Sequence, residues 1–253
     1  MQHASIETVA PVSSTPPLRV VRLGIRAYAD VLALQEELRE AVIGGAPDCL
    51  LLVQHPPVIT LGRGGDERHV LVRSAPVLRV NRGGDVTYHG PGQLVGYPIL
   101  DLGRRGCDVH AYLRALERTL ITVAATFGVR ADRRPGYTGV WIGADKLVAI
   151  GVGIRRWVTM HGFALNVADL RDAFRAIVPC GLTGTGVTSL EQACGVRPAH
   201  DHVEAAVVEA FTRVFGYADA DRAAERRGGE MAVERPGLTP GRDAHRGAER
   251  RGS

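Results

Sequence analysis

The chain is organised around residues 82–98, which read RGGDVTYHGPGQLVGYP. Glycine is dense in this segment, and because glycine has no Cβ atom, the backbone can turn sharply and approach a ligand closely. An arginine, a threonine, a tyrosine and a histidine lie among the glycines, and a simple connecting loop does not need them. A strand-like apolar run at 77–80 leads into the segment, and another at 94–102 leaves it. We therefore expect residues 82–98, here called the cradle, to bind a ligand, with the reacting groups contributed from later in the chain.

The remaining sequence alternates between short apolar runs and amphipathic helices. Strands are predicted at 18–23, Cys49–Gln54, Val58–Leu61, 138–142, 146–154 and 158–167, and helices at Tyr28–Ile43, after Asp108, at 170–177, at 188–194 and at 202–215. Pro98 inside the run 94–102 indicates an edge strand or a bulge, because proline cannot donate to a ladder. Hairpins outnumber strand–helix–strand units, so the order predicts an α+β fold of mixed, largely antiparallel sheets packed with helices.

The length fits one large domain or two small ones, and the composition places this folded part between two tails. The chain has 253 residues, of which 45% are hydrophobic and 23% are charged, and these values are ordinary for a globular protein. Residues 1–17 are rich in Ser, Thr and Pro and are expected to form a flexible leader. Residues 18–217 then form the folded domain. Residues 218–253 are rich in arginine, acids and glycine and poor in apolar residues, which predicts a disordered tail.

Charge and cysteine usage exclude several classes of protein. The net charge is +4, but aromatic residues make up only 5% of the chain and arginines concentrate in the tail, which does not favour nucleic-acid binding. No apolar run reaches the ~18 residues of a membrane span, and the N-terminus lacks a signal-peptide pattern. The four cysteines have no Cys-x-x-Cys spacing, which makes a zinc ribbon or redox motif unexpected. We expect a cytoplasmic monomer without metal or cofactor.

Two residues have the chemistry of a reactive pair. Lys146 is the only lysine of the chain, and lysine, unlike arginine, can be tuned to exchange protons. A compositional bias towards arginine is the alternative explanation. Cys180 lies between Pro179 and Gly181, which force an irregular backbone and leave the sulfur uncrowded. Cys180 is therefore a candidate nucleophile, and a buried core cysteine is the alternative.

Four separated motifs together resemble the lipoyl(octanoyl) transferase family, also called lipoate–protein ligase B. They are the cradle, the strand 146–151, the strand 161–166 and the loop 179–181, in that order. The resemblance covers roughly 18–217. It implies a fold like the catalytic domain of biotin and lipoate ligases. It also implies transfer of an octanoyl group from acyl carrier protein to a lysine of lipoyl domains, in 2-oxoacid dehydrogenase complexes and the glycine cleavage H protein, as the first step of lipoate attachment.

The resemblance also implies roles for individual residues. Cys180 would carry the acyl thioester, and Lys146 would depress the pKa of that cysteine. The implied acyl-binding residues are Arg82, Gly83, Gly84, Asp85, Val86, Thr87, Tyr88, His89, Ala149, Ile150, Gly151, Gly162, Phe163 and Ala164. A free thiol with a pKa of ~8.5 is only a few per cent thiolate at pH 7. A neighbouring ammonium lowering that pKa by about two units, or roughly 2.7 kcal/mol, would make the thiolate the major form.

Alternatives remain at the level of the sequence. An ATP-dependent lipoate or biotin ligase would use an adenylate and would need no cysteine. A non-catalytic module that docks acyl carrier protein or lipoyl domains would release no pantetheine thiol. His89 and His161 fit a structural hydrogen bond as well as a substrate contact, Arg82 and Tyr88 could brace the glycine loop or touch the ligand, and His55 beside Pro56 is typical of a turn.

Overall fold

The computed structural model describes residues 18–178 and 185–217, together with the backbone of Ala220–Asp221. Three predictions concern residues outside this part of the chain and stay predictions. They are the flexible leader at 1–17, the nucleophile Cys180, and the disordered tail at 218–253 apart from the short strand Ala220–Asp221.

The described elements follow the predicted order closely. The strands are β1 (Leu18–Ile25), β2 (Cys49–Gln54), β3 (Val58–Leu61), β4 (Val77–Arg79), β5 (Val86–His89), β6 (Gln93–Ile99), β7 (Asp132–Arg134), β8 (Tyr137–Ile142), β9 (Asp145–Arg155), β10 (Val158–Asn166) and β11 (Ala220–Asp221). The helices are α1 (Tyr28–Ile43), α2 (Val109–Thr126), α3 (Arg171–Phe174), α4 (Leu190–Cys194) and α5 (His200–Phe215). Asp108 caps α2 as predicted, because its Oδ1 accepts a hydrogen bond from the Ala111 backbone N–H at 2.9 Å.

The described strands form two mixed sheets. The larger sheet has eight strands in the order β11-β1-β2-β6-β10-β9-β8-β7, and the smaller has the order β4-β3-β5. Strand β1 is parallel to β2 and to β11, and β3 is parallel to β4, whereas the other neighbours are antiparallel. The predicted α+β class with mixed, largely antiparallel sheets is therefore confirmed.

Helices cover both faces of the larger sheet. Leu50 and Leu52 of β2 belong to a core that includes α2 and α5. Leu51 and Val53 of the same strand belong to a second core with α1. Because successive side chains of a strand point to opposite faces, both faces of β2 must be apolar. This explains why the strand reads as a continuous apolar run.

Pro98 does not lie on an edge strand, so that part of the prediction is wrong. Strand β6 lies inside the larger sheet, between β2 and β10. The ladder from β6 to β10 reaches Gly96, paired with Phe163, and resumes only at the isolated bridge between Asp101 and Val158. Pro98 falls within this gap, so an interior strand accommodates a residue that has no N–H to donate.

Candidate active site

A cavity of about 580 Å³ lies between the cradle, β9 and β10. Its lining residues are Tyr28, Gly64, His69, Arg82, Gly83, Gly84, Asp85, Val86, Thr87, His89, Val95, Tyr97, Leu113, Gly136, Tyr137, Thr138, Lys146, Ala149, Ile150, Gly151, Val152, His161, Gly162, Phe163 and Ala164. Every residue of the predicted acyl-binding set except Tyr88 is among them. Segments distant in sequence thus meet around one space, and Lys146 is part of its wall.

Glycines allow the strands around the cavity to approach closely. A Cβ atom at Gly96 would clash with the ring of Phe163, and one at Gly162 would clash with the carbonyl oxygen of Gly96. The backbone N–H of Gly83 donates to the Val152 carbonyl at 2.8 Å, which ties the cradle to β9. The glycine density of the sequence therefore reflects tight packing of backbone and side chains beside the cavity.

Arg82 braces the cradle from a buried position. Its Nη2 donates to the carbonyl oxygen of Thr60 at 2.8 Å and to Thr60 Oγ1 at 2.9 Å. Its Nη1 donates to the carbonyl oxygen of Gly83 at 3.0 Å. Because Arg82 also lines the cavity, the bracing role and the ligand-contacting role are compatible.

Tyr88 faces away from the cavity. Its ring packs edge-on against Phe174 with centroids 5.8 Å apart, in a small cluster that also contains Ile59. Thr87 and His89, its neighbours in β5, line the cavity instead. Over residues 87–89 this arrangement follows the two-residue period of a strand, and it favours the bracing role for Tyr88.

Both backbone polar groups of Lys146 form hydrogen bonds. Its N–H donates to the Gly186 carbonyl at 3.0 Å, and its carbonyl accepts from the Thr188 N–H at 3.0 Å. The ammonium Nζ lies 4.6 Å from the centre of the Trp141 ring. The only lysine of the chain is therefore fixed in the cavity wall, close to the residues that follow segment 179–184.

Val178, which precedes segment 179–184, is also hydrogen-bonded beside the cavity. The Val178 N–H donates to the His69 carbonyl oxygen at 2.8 Å. The His69 side chain lines the cavity, and its Nδ1 donates to Asp85 Oδ2 at 2.5 Å. Cys180 itself lies outside the described residues, but the described residues on both sides of its segment are bonded to residues of the cavity wall.

Buried histidines line the cavity in their neutral form. The Nδ1 of His89 donates to Gln93 Oε1 at 2.7 Å, and the Nε2 of His161 donates to Asn81 Oδ1 at 2.5 Å. Burial lowers the pKa of His89 to about 3 and the pKa of His161 to about 4. Both rings are therefore uncharged at neutral pH.

Aromatic residues next to these histidines were missed by the sequence analysis. His55, expected in a turn, is fully buried; its Nδ1 donates to the Arg26 carbonyl at 2.8 Å and its Nε2 accepts from Tyr97 Oη at 2.8 Å. Tyr28 stacks on His89 with centroids 5.7 Å apart. Tyr97 lies within the cradle sequence and could have been noticed, whereas nothing local marks Tyr28 or His55.

In the described part of the chain, no group of three or more His, Cys, Asp or Glu side chains could hold a metal ion. None of the described helices is both long and apolar enough to cross a membrane.

Comparison with known proteins places this cavity in a family context. Residues 27–212 match the family described as the lipoyl protein ligase A/B catalytic domain. An octanoyltransferase of Geobacter metallireducens is 57% identical over 174 residues, which cover 68% of this chain and 82% of that protein. An octanoyltransferase of Gloeobacter violaceus is 58% identical over 202 residues, which cover 78% of this chain and 90% of that protein.

Solved structures share the fold at low sequence identity. The putative lipoate protein ligase Ta0514 from T. acidophilum aligns with a TM-score of 0.65 at 16% identity, over 79% of this chain and 86% of that chain. A lipoate-protein ligase A bound with ATP aligns with a TM-score of 0.64 at 15% identity, over 80% of this chain and 86% of that chain. These likenesses confirm the lipoate-ligase type of fold that the sequence predicted.

Proposed function

The chain belongs to the lipoyl protein ligase A/B catalytic-domain family and is an octanoyltransferase, and on this basis we propose that Cys180 carries the octanoyl group during transfer. The donor is the phosphopantetheine thioester of octanoyl-acyl carrier protein. The acceptor is the lysine ε-amine of a lipoyl domain, such as those of 2-oxoacid dehydrogenase complexes or the glycine cleavage H protein.

The single observation that carries this proposal is that described residues on both sides of segment 179–184 are hydrogen-bonded to residues of the cavity wall. Val178 is bonded to His69, and Gly186 is bonded to Lys146, and both partners line the cavity. Cys180 follows Val178 by two residues, so covalent geometry keeps its Cα within about 7 Å of the Val178 Cα. A sulfur in that range is compatible with attack on a thioester bound in the cavity.

The first half of the reaction forms the acyl-enzyme. The Cys180 thiolate, stabilised by the Lys146 ammonium, attacks the thioester carbonyl and gives a tetrahedral intermediate. The carbon–sulfur bond to pantetheine then breaks, and the leaving sulfur takes a proton from Lys146. Backbone N–H groups of the glycine-rich segments are suited to stabilise the oxyanion. Free pantetheine thiol on the carrier protein is the first product.

The second half of the reaction forms the amide. The lysine amine of the lipoyl domain attacks the Cys180 thioester, and the now neutral Lys146 accepts the proton that this amine loses. The Cys180 thiolate leaves, and the ammonium beside it is restored. Amide formation from a thioester is downhill, so the cycle needs neither ATP nor a metal ion.

The acyl chain would lie against an apolar part of the cavity wall. Ala149 and Ala164, which pair in the β9–β10 ladder, supply this part, and each methylene buried there contributes ~0.8 kcal/mol. The neutral forms of the nearby buried histidines add no charge that an alkyl chain would have to desolvate.

Intact-mass spectrometry after mixing with octanoyl-acyl carrier protein tests the proposal. We expect one octanoyl adduct on the wild-type chain and on Cys107→Ala, a matched control at an exposed cysteine. We expect none on Cys180→Ala. An adduct that survives Cys180→Ala would refute the nucleophile.

The alternatives predict other products. Pyrophosphate release that depends on ATP and free octanoate would favour a ligase. Binding of both protein partners without release of pantetheine thiol would favour a docking module. Thiol release from the carrier protein therefore separates the transferase from both alternatives, and pyrophosphate release separates the ligase from the docking module.

A further inference from the structure

Trp141 and Lys146 face each other across the β8–β9 hairpin. They pair in the ladder, and the ammonium Nζ lies 4.6 Å from the centre of the indole ring. Val140 pairs with Val148, so the register shifts and Leu147 is an additional residue, as in a β-bulge. A bulge changes the direction in which nearby side chains point. Directly paired residues, such as Trp141 and Lys146, lie on the same face of a sheet. The bulge thus brings the lysine over the indole.

The indole ring is itself fixed. Trp141 is only 2% exposed. The guanidinium carbon of Arg134 lies 5.1 Å from the Trp141 ring centre and 4.8 Å from the Tyr137 ring centre. The Tyr137 and Trp141 rings meet edge-on at 6.1 Å. Because these contacts fix the Trp141 ring, the ring can fix the position of the Lys146 ammonium.

Gly139 lies beside the lysine stem. Its φ is 132°, a backbone conformation that favours glycine. A Cβ atom there would lie 3.7 Å from Lys146 Cε and 2.6 Å from the Val148 carbonyl oxygen. The Val148 carbonyl and the backbone conformation thus require glycine at position 139, and the Lys146 stem passes it at ordinary contact distance.

We propose that Trp141 is a positioning residue whose indole face holds the Lys146 ammonium in the cavity wall. The inference rests on the proposed function, in which that ammonium stabilises the thiolate. An aromatic face attracts a cation, and the attraction increases when the pair is shielded from water. Arg134 shares the ring but keeps its charge, so of the two cations only the lysine can exchange a proton. Trp141 does not line the cavity and acts through Lys146.

The test compares Trp141→Leu, Trp141→Phe and Trp141→Tyr in single-turnover acylation by octanoyl-acyl carrier protein. Leucine keeps apolar bulk but has no aromatic face, so we expect it to slow acylation about tenfold. Phenylalanine and tyrosine should retain most of the rate. Trp157→Leu is the matched control, because Trp157 is 45% exposed and does not line the cavity; it should keep the wild-type rate. Equal losses in all three Trp141 variants, or no loss in Trp141→Leu, would overturn the inference.

A second measurement does not depend on acyl transfer or on whether Trp141→Leu folds. The chain has two tryptophans, so Trp157→Phe leaves Trp141 as the only indole. We expect Lys146→Met in this background to change the Trp141 fluorescence, because the substitution removes an ammonium beside the ring. Unchanged emission would overturn the positioning contact. A wild-type chain that forms no acyl adduct while this emission responds would refute the proposed function and leave the contact standing.

Discussion

A substitution in the apolar wall should change which acyl chain the enzyme accepts. Ala149 and Ala164 are a direct pair in the β9–β10 ladder, and both line the cavity. Neither side chain extends beyond Cβ, so the space in front of this pair is available to the substrate. Ala149→Leu places three more carbon atoms there. If they displace two methylenes of the octanoyl chain, the loss is about 1.6 kcal/mol at ~0.8 kcal/mol per methylene.

This loss corresponds to roughly a fifteenfold lower rate of acylation with octanoyl-acyl carrier protein. Hexanoyl-acyl carrier protein should lose little, because its chain ends before the occupied space. The assay is single-turnover formation of the acyl-enzyme with both donors. Ala41→Leu adds the same side chain at an exposed position of α1 and should change neither rate. An Ala149→Leu variant that loses both donors equally, or neither, would refute the placement of the alkyl chain against β9.

Two further predictions concern protons. Lys146→Arg should fold with an unchanged melting temperature yet form the acyl-enzyme and the amide far more slowly, because arginine keeps a charge but does not pass a proton; a wild-type rate would contradict the role of Lys146. Burial lowers the pKa of His89 to about 3 and of His161 to about 4 from 6.5, so the unfolded chain binds more protons than the folded chain below about pH 6.5. The two rings should therefore make their full contribution to the free energy of unfolding above about pH 6.5. This contribution should decline as the pH falls towards 4, by up to about 1.4 kcal/mol per pH unit for each ring. Urea unfolding across this range checks the decline, and His89→Gln should make it shallower; an identical slope in the variant would show that His89 does not contribute.

Local periodicity was sufficient to predict most elements. The bounds of Cys49–Gln54, Val58–Leu61 and Tyr28–Ile43 agree with the structure, because each element has a clear apolar pattern and is bounded by glycine, proline or a short polar turn. The motifs also grouped the cradle with β9 and β10, and the structure brings those segments together around one cavity. These features depend on residues close to each other in sequence.

The rule for proline was misleading for a tertiary reason. Pro98 lacks an N–H, which by itself indicates an edge. The structure instead interrupts the neighbouring ladder opposite it, where His161 adopts a φ of 58°. Whether a strand has a partner at one position depends on the other strand, and the local sequence does not contain that information.

The sequence by itself determined the class of fold, the family and the two residues proposed to react, because these depend on local patterns and on which side chains the chain possesses. Only the tertiary structure decided that Tyr28, His55 and His69 join the cavity region and that Tyr88 turns away from it. The physical reason is that a strand exposes alternate faces. Which face meets the cavity depends on register and on the packing of distant segments against it.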